Sequence, residues 1–221
     1  YRDFARQQRE RLRGERLDAE LDFWRLQLAA APTVVKLPTD KRRPSALTFD
    51  GDTYRMVLHE DLAAALQDAC RTLGVTPYMV LLAAFATLLY RHSGQDDILL
   101  GGPMANREQP GLEQLVGFFA NTVVVRARLG GNPAFSELLE RVRDSVLASY
   151  EHQEIPLQMV VDAVRPERHA GVNPLVQVNF RVRVGEPPVP ELPAASCEPI
   201  AVDLGLARFE LALELHVGER I

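Results

Sequence analysis

Apolar positions along the chain follow the helical period in some segments and the alternation of strands in others. In the first 31 residues they recur as one buried helix stripe, formed by Leu17, Leu21, Trp24 and Leu28. The same period predicts four more helices, over residues 60–73, 76–92, 132–153 and 156–164. The second of these begins at Thr76-Pro77, because threonine caps a helix N-terminus well and proline suits the first helical position.

Strands are predicted where short apolar or alternating runs stand between turn residues. These runs are residues 53–58, 97–101, 119–129 and 175–184, followed by a hairpin that joins residues 200–203 to 209–217. The proline-rich stretch at residues 186–199, between the strand at 175–184 and this hairpin, is predicted to be a loop. The order of helices and strands predicts an α/β protein, a two-layer sandwich of helices on a mixed sheet.

The composition is typical of a soluble globular protein, with 47% hydrophobic and 25% charged residues among 221. A net charge of −5 gives no reason to expect nucleic-acid binding, and the basic run at residues 41–43 is interpreted as a solvated loop. The longest apolar run, residues 79–90, is too short to cross a bilayer. We therefore expect a cytoplasmic protein with no nucleic-acid or membrane partner. The two cysteines and five histidines have no metal-ligand spacing, so no metal site is predicted.

Several short stretches carry more information in their order than any one of them does alone. They are Tyr1-Arg2-Asp3-Phe4-Ala5, Gly117-Phe118-Phe119-Ala120-Asn121-Thr122, His152-Gln153-Glu154-Ile155-Pro156 and Asn173-Pro174-Leu175, with Arg168 ahead of the last. In this order they resemble the later motifs of the condensation domains of nonribosomal peptide synthetases. The resemblance covers nearly the whole chain. The departures from the family pattern are Ala120 for valine, Glu154 for aspartate, Leu157 for phenylalanine, His169 for aspartate and Gly171 for serine.

The resemblance implies a fold similar to chloramphenicol acetyltransferase, with two α/β lobes in a V and a tunnel between them. Residues 1–221 would be the C-terminal lobe, with a helical segment at 1–31, a connector at 32–46 and the α/β lobe at 47–221. Because the pattern begins inside a helix and ends in an unpaired strand, we also expect a missing N-terminal lobe and an exposed apolar face where it packs.

The activity implied by the resemblance is amide-bond formation, in which an acceptor amine attacks a donor thioester. Both substrates arrive on the 4'-phosphopantetheine arms of donor and acceptor peptidyl carrier proteins, so no cofactor is bound directly. The paired histidines of the family lie upstream, in the other lobe, and no two adjacent histidines occur here. We therefore predict no catalytic residue in this chain and no activity of the chain by itself.

Two alternatives stay open at this point. The chain could serve as a non-catalytic docking or scaffold module for carrier proteins and neighbouring synthetase domains. It could also belong to a heterocyclisation or epimerisation relative, because the residues that distinguish these enzymes lie upstream.

Residues 173–180 are the most suggestive local pattern, since alternate residues of a strand share a face. Asn173, Gln177 and Asn179 would share one face, which would line either solvent or the cleft between lobes, and Phe180 would lie on the opposite, core face. We predict that these amides face the cleft, where substrates need hydrogen-bonding groups.

The remaining candidates allow two interpretations each. Asn121 would either pin the loop before its strand or face the tunnel, because an unpaired buried amide costs about 1–3 kcal/mol. Glu210 would reach either solvent or the cleft. We interpret His152 as a helix-end residue rather than a catalytic one. The other motif residues are given structural roles: Tyr1, Asp3, Gly117, Phe119, Gln153, Pro156, Arg168 and Pro174.

Overall fold

The computed structural model describes residues 1–107, 109–185, 196–198, 200 and 202–218. The helices are α1 (Arg2–Arg11), α2 (Gly14–Gln27), α3 (Glu60–Leu73), α4 (Pro77–Ser93), α5 (Phe135–Glu151) and α6 (Leu157–Val164). The strands are β1 (Asp97–Met104), β2 (Asn121–Arg128), β3 (Val178–Val184) and β4 (Leu211–Val217). The predicted class, α/β with a mixed sheet, is confirmed.

The four strands form one sheet in the order β2-β1-β3-β4. Strands β1 and β2 are antiparallel, while β3 runs parallel to both β1 and β4. Helices α4 and α5 cover one face, where the main core contains Leu82, Leu100, Val142 and Phe180. On the other face α2 and α6 add a third layer over part of the sheet. The two predicted layers therefore describe only the β3–β4 half.

Helix α4 lies at the centre of this core, and the residues at its two ends explain where the helix begins and ends. The hydroxyl of Thr76 accepts a hydrogen bond from the N–H of Met79 at 3.3 Å, and Pro77 follows directly. Gly94 ends the helix with φ at +70°, a conformation that glycine adopts without strain. Leu82, lying between these caps, is completely buried.

The predicted single N-terminal helix is two helices. Residues 12–13 separate α1 from α2, and Gly14 has a φ of +60°. Such a backbone angle turns the chain, so α2 leaves α1 in a new direction. The apolar stripe lies on α2, where Trp24 is only 2% exposed.

The predicted strand at residues 53–58 is wrong. These residues form no regular secondary structure, and the nearest pairing is an isolated antiparallel bridge between Asp50 and Leu206. Tyr54 and Met56 are 88% and 65% exposed. Alternation of residue types predicted a strand, but no described strand pairs with this segment.

The predicted C-terminal hairpin is also wrong. Strand β4 pairs in parallel with β3, and Ile200, Val202 and Asp203 lie in no strand. Ala201 and most of the predicted proline-rich loop lie outside the described residues. The pairing of β4 with β3 is a long-range contact that the local turn signals do not reveal.

Strand β3 begins three residues later than the alternation predicts. Leu175 has a φ of +62°, and the N–H of Val176 donates to the carbonyl of Pro174 at 2.7 Å, which makes a tight turn. A strand cannot pass through a left-handed residue. The shared face predicted for residues 173–179 therefore does not exist as one strand face.

Among the described residues no single helix is long and apolar enough to span a membrane. Two consecutive helices, Asp61–Leu73 and Pro77–Ser93, reach that length and apolar character only when taken together, and the chain bends by 107° between them.

Candidate functional site

The second face of the sheet is half covered. Leu99 and Val124 pack with α2 and α6 over the β1–β2 half. The β3–β4 half of that face carries six residues that are half-buried or exposed: Asn179, Arg181, Arg183, Ala212, Glu214 and His216. We call these six residues the open face.

Charged side chains on the open face pair with one another. Glu214 lies at the centre, 2.6 Å from Arg183 Nε, 3.3 Å from His216 Nε2 and 3.6 Å from Arg181 Nη1. The side chains of Glu214, Arg181 and Arg183 are all between 40% and 42% exposed. Ion pairs at such exposed positions stabilise a fold by about 0–1 kcal/mol. The open face is thus a hydrophilic surface that carries both signs of charge.

Asn179 is the predicted tunnel residue with spare hydrogen-bonding capacity. It lies beside Gly101 of β1 and is half-buried. Within the described residues its side-chain amide makes no hydrogen bond. Such an amide keeps two donors and one acceptor for a ligand.

Asn121 is used to hold two parts of the fold together. Its Nδ2 donates to the carbonyls of Gln153 at 2.9 Å and Ile155 at 2.7 Å, and its Oδ1 accepts from the N–H of Leu157 at 3.2 Å. These bonds join the start of β2 to the corner between α5 and α6. With these bonds Asn121 ties the start of β2 to the corner, and its contact with a tunnel stays a prediction.

Gln177 is buried and binds the connector. Its side chain is 1% exposed, accepts from the N–H of Val35 at 3.0 Å and donates to the carbonyl of Thr33 at 3.0 Å. It also donates to the carbonyl of Asn173 at 2.5 Å. With its donors and its acceptor engaged, this amide has no group left for a substrate. Its position shortly before Val178 attaches the connector to the sheet.

Asn173 and Glu210 also make contacts within the chain. Asn173 Nδ2 donates to the carbonyl of Arg208 at 2.9 Å. The Glu210 carboxylate lies 2.5 Å from the guanidinium of Arg43, and their side chains are 20% and 34% exposed. Both contacts tie the segment before β4 to other parts of the chain, so neither side chain is free in the way that Asn179 is.

His152 caps the C-terminus of α5 and contacts α2. Its Nδ1 lies 2.8 Å from the carboxylate of Glu20, and its ring stacks on Phe23 at 3.6 Å. Its carbonyl accepts from the indole N–H of Trp24 at 3.3 Å. These contacts hold His152 at the end of α5, against α2.

The rest of this corner is held by charges and main-chain bonds. Glu154 lies 2.6 Å from Arg11 and 2.8 Å from Arg16, so it joins α1 and α2 to the corner. Gln153 supplies a carbonyl to the Asn121 amide. Pro156 stands at the N-cap of α6, where its carbonyl accepts from the helix.

The first motif packs against the second. The rings of Tyr1, Phe4 and Phe119 lie edge-on or tilted to one another, with centroids 4.8–6.1 Å apart. A Cβ at Gly117 would lie 2.8 Å from the Tyr1 ring, so only glycine fits there. The Arg107 guanidinium lies 4.3 Å from the Phe119 ring centroid. It also donates to the carbonyls of Leu115 and Gly117, in the loop that precedes Phe119.

Two motif charges lie at the surface. Asp3 forms an exposed ion pair with Arg6 at 3.0 Å. Arg168 is exposed at the rim of a cavity of about 260 Å³ between the connector and α6. Asn173 and Pro174 line the same cavity, which brings the last motif against the connector.

Sequence reasoning did not find Arg126, which is 8% exposed on the covered half. It lies 2.5 Å from Asp97 and donates to the carbonyls of Gln27 and Ala29 at the end of α2. An arginine inside an apolar strand was the available signal, because a buried charge must be paired. The charged pattern of the open face was likewise visible only once β4 was known to lie beside β3.

Comparison with known proteins identifies the family. A family model described as the condensation domain matches residues 1–215. The chain belongs to the condensation-domain family. It is 41% identical to malpinin synthetase of Mortierella alpina and 42% identical to a linear gramicidin synthase of Brevibacillus parabrevis, over 97% and 98% of its length. The chain spans only 3% and 4% of those proteins.

Solved condensation-family structures have the same fold. The X-domain from teicoplanin biosynthesis superposes with a TM-score of 0.87 at 28% identity, covering 97% of this chain and 49% of that one. A second structure of that X-domain, in complex with OxyB, gives a TM-score of 0.86 at 28% identity, covering 97% of this chain and 48% of that one. These superpositions show that the fold of nearly the whole chain is one already seen in solved structures.

Proposed function

We propose that this chain forms part of a condensation domain that makes an amide bond between two carrier-bound substrates. The acceptor amine of an aminoacyl thioester attacks the carbonyl of a donor acyl or peptidyl thioester. The C–S bond of the donor breaks, its thiol leaves with a proton, and the new C–N bond joins the two substrates. The observation that carries the proposal is the 42% identity to a linear gramicidin synthase over nearly the whole chain.

In this proposal the chain positions substrates and does not transfer protons. The open face, with the free amide of Asn179 at its inner end, lines the path of the pantetheine-borne substrates. The corner held by Asn121, His152 and Glu154 and the connector held by Gln177 keep that face in place. Rigid positioning of two reactants is a large part of catalysis for bimolecular reactions.

The chain alone is expected to be inactive, because a positioned acid or base contributes about 10²–10⁴-fold in rate. Four of the five histidines lie 2.8–3.8 Å from carboxylates: His59, His152, His169 and His216. The fifth, His92, is exposed in the last turn of α4. The group that assists the amine would therefore come from the partner lobe.

A peptide-formation assay tests the proposal. The synthetase polypeptide that contains this chain is mixed with donor and acceptor carrier proteins, each loaded with an aminoacyl thioester, and the product is measured by mass spectrometry. We expect dipeptide from that polypeptide and none from the 221-residue chain alone. Equal turnover by the isolated chain, or no dipeptide with any loaded pair, would contradict the proposal.

A second function is favoured by one observation, the similarity to the X-domain that was solved in complex with OxyB. A chain of this kind would recruit a partner protein and catalyse nothing. The same assay separates the two functions, because a recruiting module gives no dipeptide but retains a partner in a binding measurement. The higher identity to the peptide synthetases, 41–42% against 28%, is our reason for proposing amide formation as the first function.

A further inference from the structure

The cavity of about 260 Å³ between the connector and α6 is held in shape by a buried side chain. Gln177 Nε2 donates to the carbonyl of Thr33, in the connector, at 3.0 Å and to that of Asn173, in the loop before β3, at 2.5 Å. Both of these residues line the cavity, so Gln177 ties two of its sides together. The cavity is therefore formed before any ligand arrives, as small-molecule sites usually are.

Apolar side chains make up much of the wall. They are Val34 of the connector, Val161 of α6, and Val172 and Pro174 of the loop that follows α6. Val161 is only 3% exposed and belongs to the core on that side of the sheet. A water molecule occupies about 30 Å³ in the liquid, so the cavity has room for a molecule of roughly eight non-hydrogen atoms. A branched aliphatic group with a small polar head is of this size.

Charged groups at the rim define that polar head. The amides of Gln158 and Asn173 already donate within the chain. Glu167 is 80% exposed and lies 3.8 Å from His169, a distance too long for a hydrogen bond. Arg168 is exposed and forms no ion pair within the described part of the chain. The rim therefore offers a cation and a carboxylate to a ligand, and His169 is one of the departures from the family pattern.

We propose that this cavity binds a free apolar α-amino acid of the size of valine or leucine. The Arg168 guanidinium pairs with the carboxylate of the ligand, a geometry that arginine suits well. Glu167 accepts a hydrogen bond from the ligand ammonium group, and Val34, Val161 and Val172 contact its aliphatic side chain. An amino acid joins an acid, a base and a short apolar body within the room available. The amide-forming function is not needed for this binding, and no residue of the open face takes part.

Methyl NMR on the 221-residue chain with added leucine tests the proposal. The probes are the methyl groups of Val34, Val161 and Val172, and those of Val125 in the main core serve as the reference. We expect leucine to shift the three cavity valines saturably and to leave Val125 unchanged. Three ligands that each lack one part of leucine should bind at least about threefold more weakly. They are 4-methylpentanoate, without the ammonium group, 3-methylbutylamine, without the carboxylate, and glycine, without the apolar side chain.

The variant Arg168→Gln removes the cation and should weaken leucine binding about three- to fivefold. It should leave the weaker binding of 3-methylbutylamine unchanged, because that ligand has no carboxylate. The matched control is Arg165→Gln, which changes an exposed arginine of the same loop that does not line the cavity. This control should bind leucine like the unchanged chain, and thermal melting should show that both variants keep the fold.

Three results would overturn the proposal. The first is the absence of any shift at the cavity valines up to the solubility limit of leucine. The second is binding of 4-methylpentanoate as tight as that of leucine, because Glu167 would then have no ammonium group to recognise. The third is an equal loss from Arg165→Gln and Arg168→Gln, since the attraction would then come from the general charge of the loop.

Discussion

The second face of the sheet carries polar groups in both of its halves, but they are used in different ways. In the half under α2 and α6, Arg126 is buried and bonded to main-chain carbonyls as well as to Asp97. In the half formed by β3 and β4, Glu214 and its basic neighbours are exposed and pair only with side chains. A polar residue in a family motif is thus a candidate for substrate contact only where the fold has not already engaged it.

The largest effect is expected from Phe180→Ala, on the fully covered face. Phe180 is completely buried and contacts the rings of Tyr78 and Phe85 at 5.3 and 5.6 Å. Truncating such a side chain leaves a cavity and lowers the free energy of unfolding by about 3–5 kcal/mol. Urea denaturation measures this loss. A loss below about 1 kcal/mol, the range of an ordinary surface change, would mean that the packing of β3 has been misassigned.

The next effect is expected from Gln177→Leu. The substitution removes the acceptor of the buried Val35 N–H and the donor to the half-buried carbonyls of Thr33 and Asn173. A buried group left unpaired costs about 1–3 kcal/mol. We expect a clear loss of stability, measured in the same denaturation experiment. The matched control is Asn179→Leu on the neighbouring strand residue, which should change stability little and slow condensation in the intact synthetase. If Asn179→Leu is the less stable variant, the assignment of Gln177 as an engaged amide and Asn179 as a free one is wrong.

Gln177 and Asn179 also show how much of the structure could be predicted from the sequence. The helix caps, the α/β class and the burial of Phe180 follow from local patterns, because period and capping residues act over a few positions. The use of Gln177 does not follow, since its partners Thr33 and Val35 lie more than 140 residues away. The alternation of residues 173–180 gave Gln177 and Asn179 the same role, but the turn at Leu175 separates their environments.

The strand predicted at residues 53–58 failed for a related reason. A strand exists only with a neighbour, and period alone does not supply one. The pairing of β4 with β3 joins residues 178–184 to 211–217 across a stretch that has no strong local signal. Open-face residues such as Arg181 and Glu214 therefore could not be grouped from the sequence.

A moderate effect is expected from Asn121→Ala. Three hydrogen bonds to the corner between α5 and α6 are lost, each with a net value of about 1 kcal/mol, although half-exposed groups regain part of this from water. We expect faster amide exchange at Leu157 and a lower melting temperature. The variant Asn121→Asp keeps the acceptor for Leu157 but sets a carboxylate oxygen, which cannot donate, against the carbonyls of Gln153 and Ile155, so it should also lower the melting temperature. Unchanged exchange at Leu157 would show that Asn121 does not hold the corner.

The smallest effect is expected from Glu214→Gln, which removes the central charge of the open face. Its side chain is 41% exposed, and exposed ion pairs contribute about 0–1 kcal/mol, so the melting temperature should barely change. The matched control is Asp97→Asn, a carboxylate-to-amide change on the same face of the same sheet. There the partner Arg126 is 8% exposed, and hydrogen bonds to charged groups contribute about 1.5–3 kcal/mol. Raising the salt concentration should shrink the small effect at Glu214 and leave most of the effect at Asp97, because salt screens exposed pairs more than buried ones. Equal losses for the two variants would mean that the open face is covered in solution. Such covering would point to a partner on the charged side of β4, since nothing in the described part of the chain shields Glu214 more than its basic neighbours do.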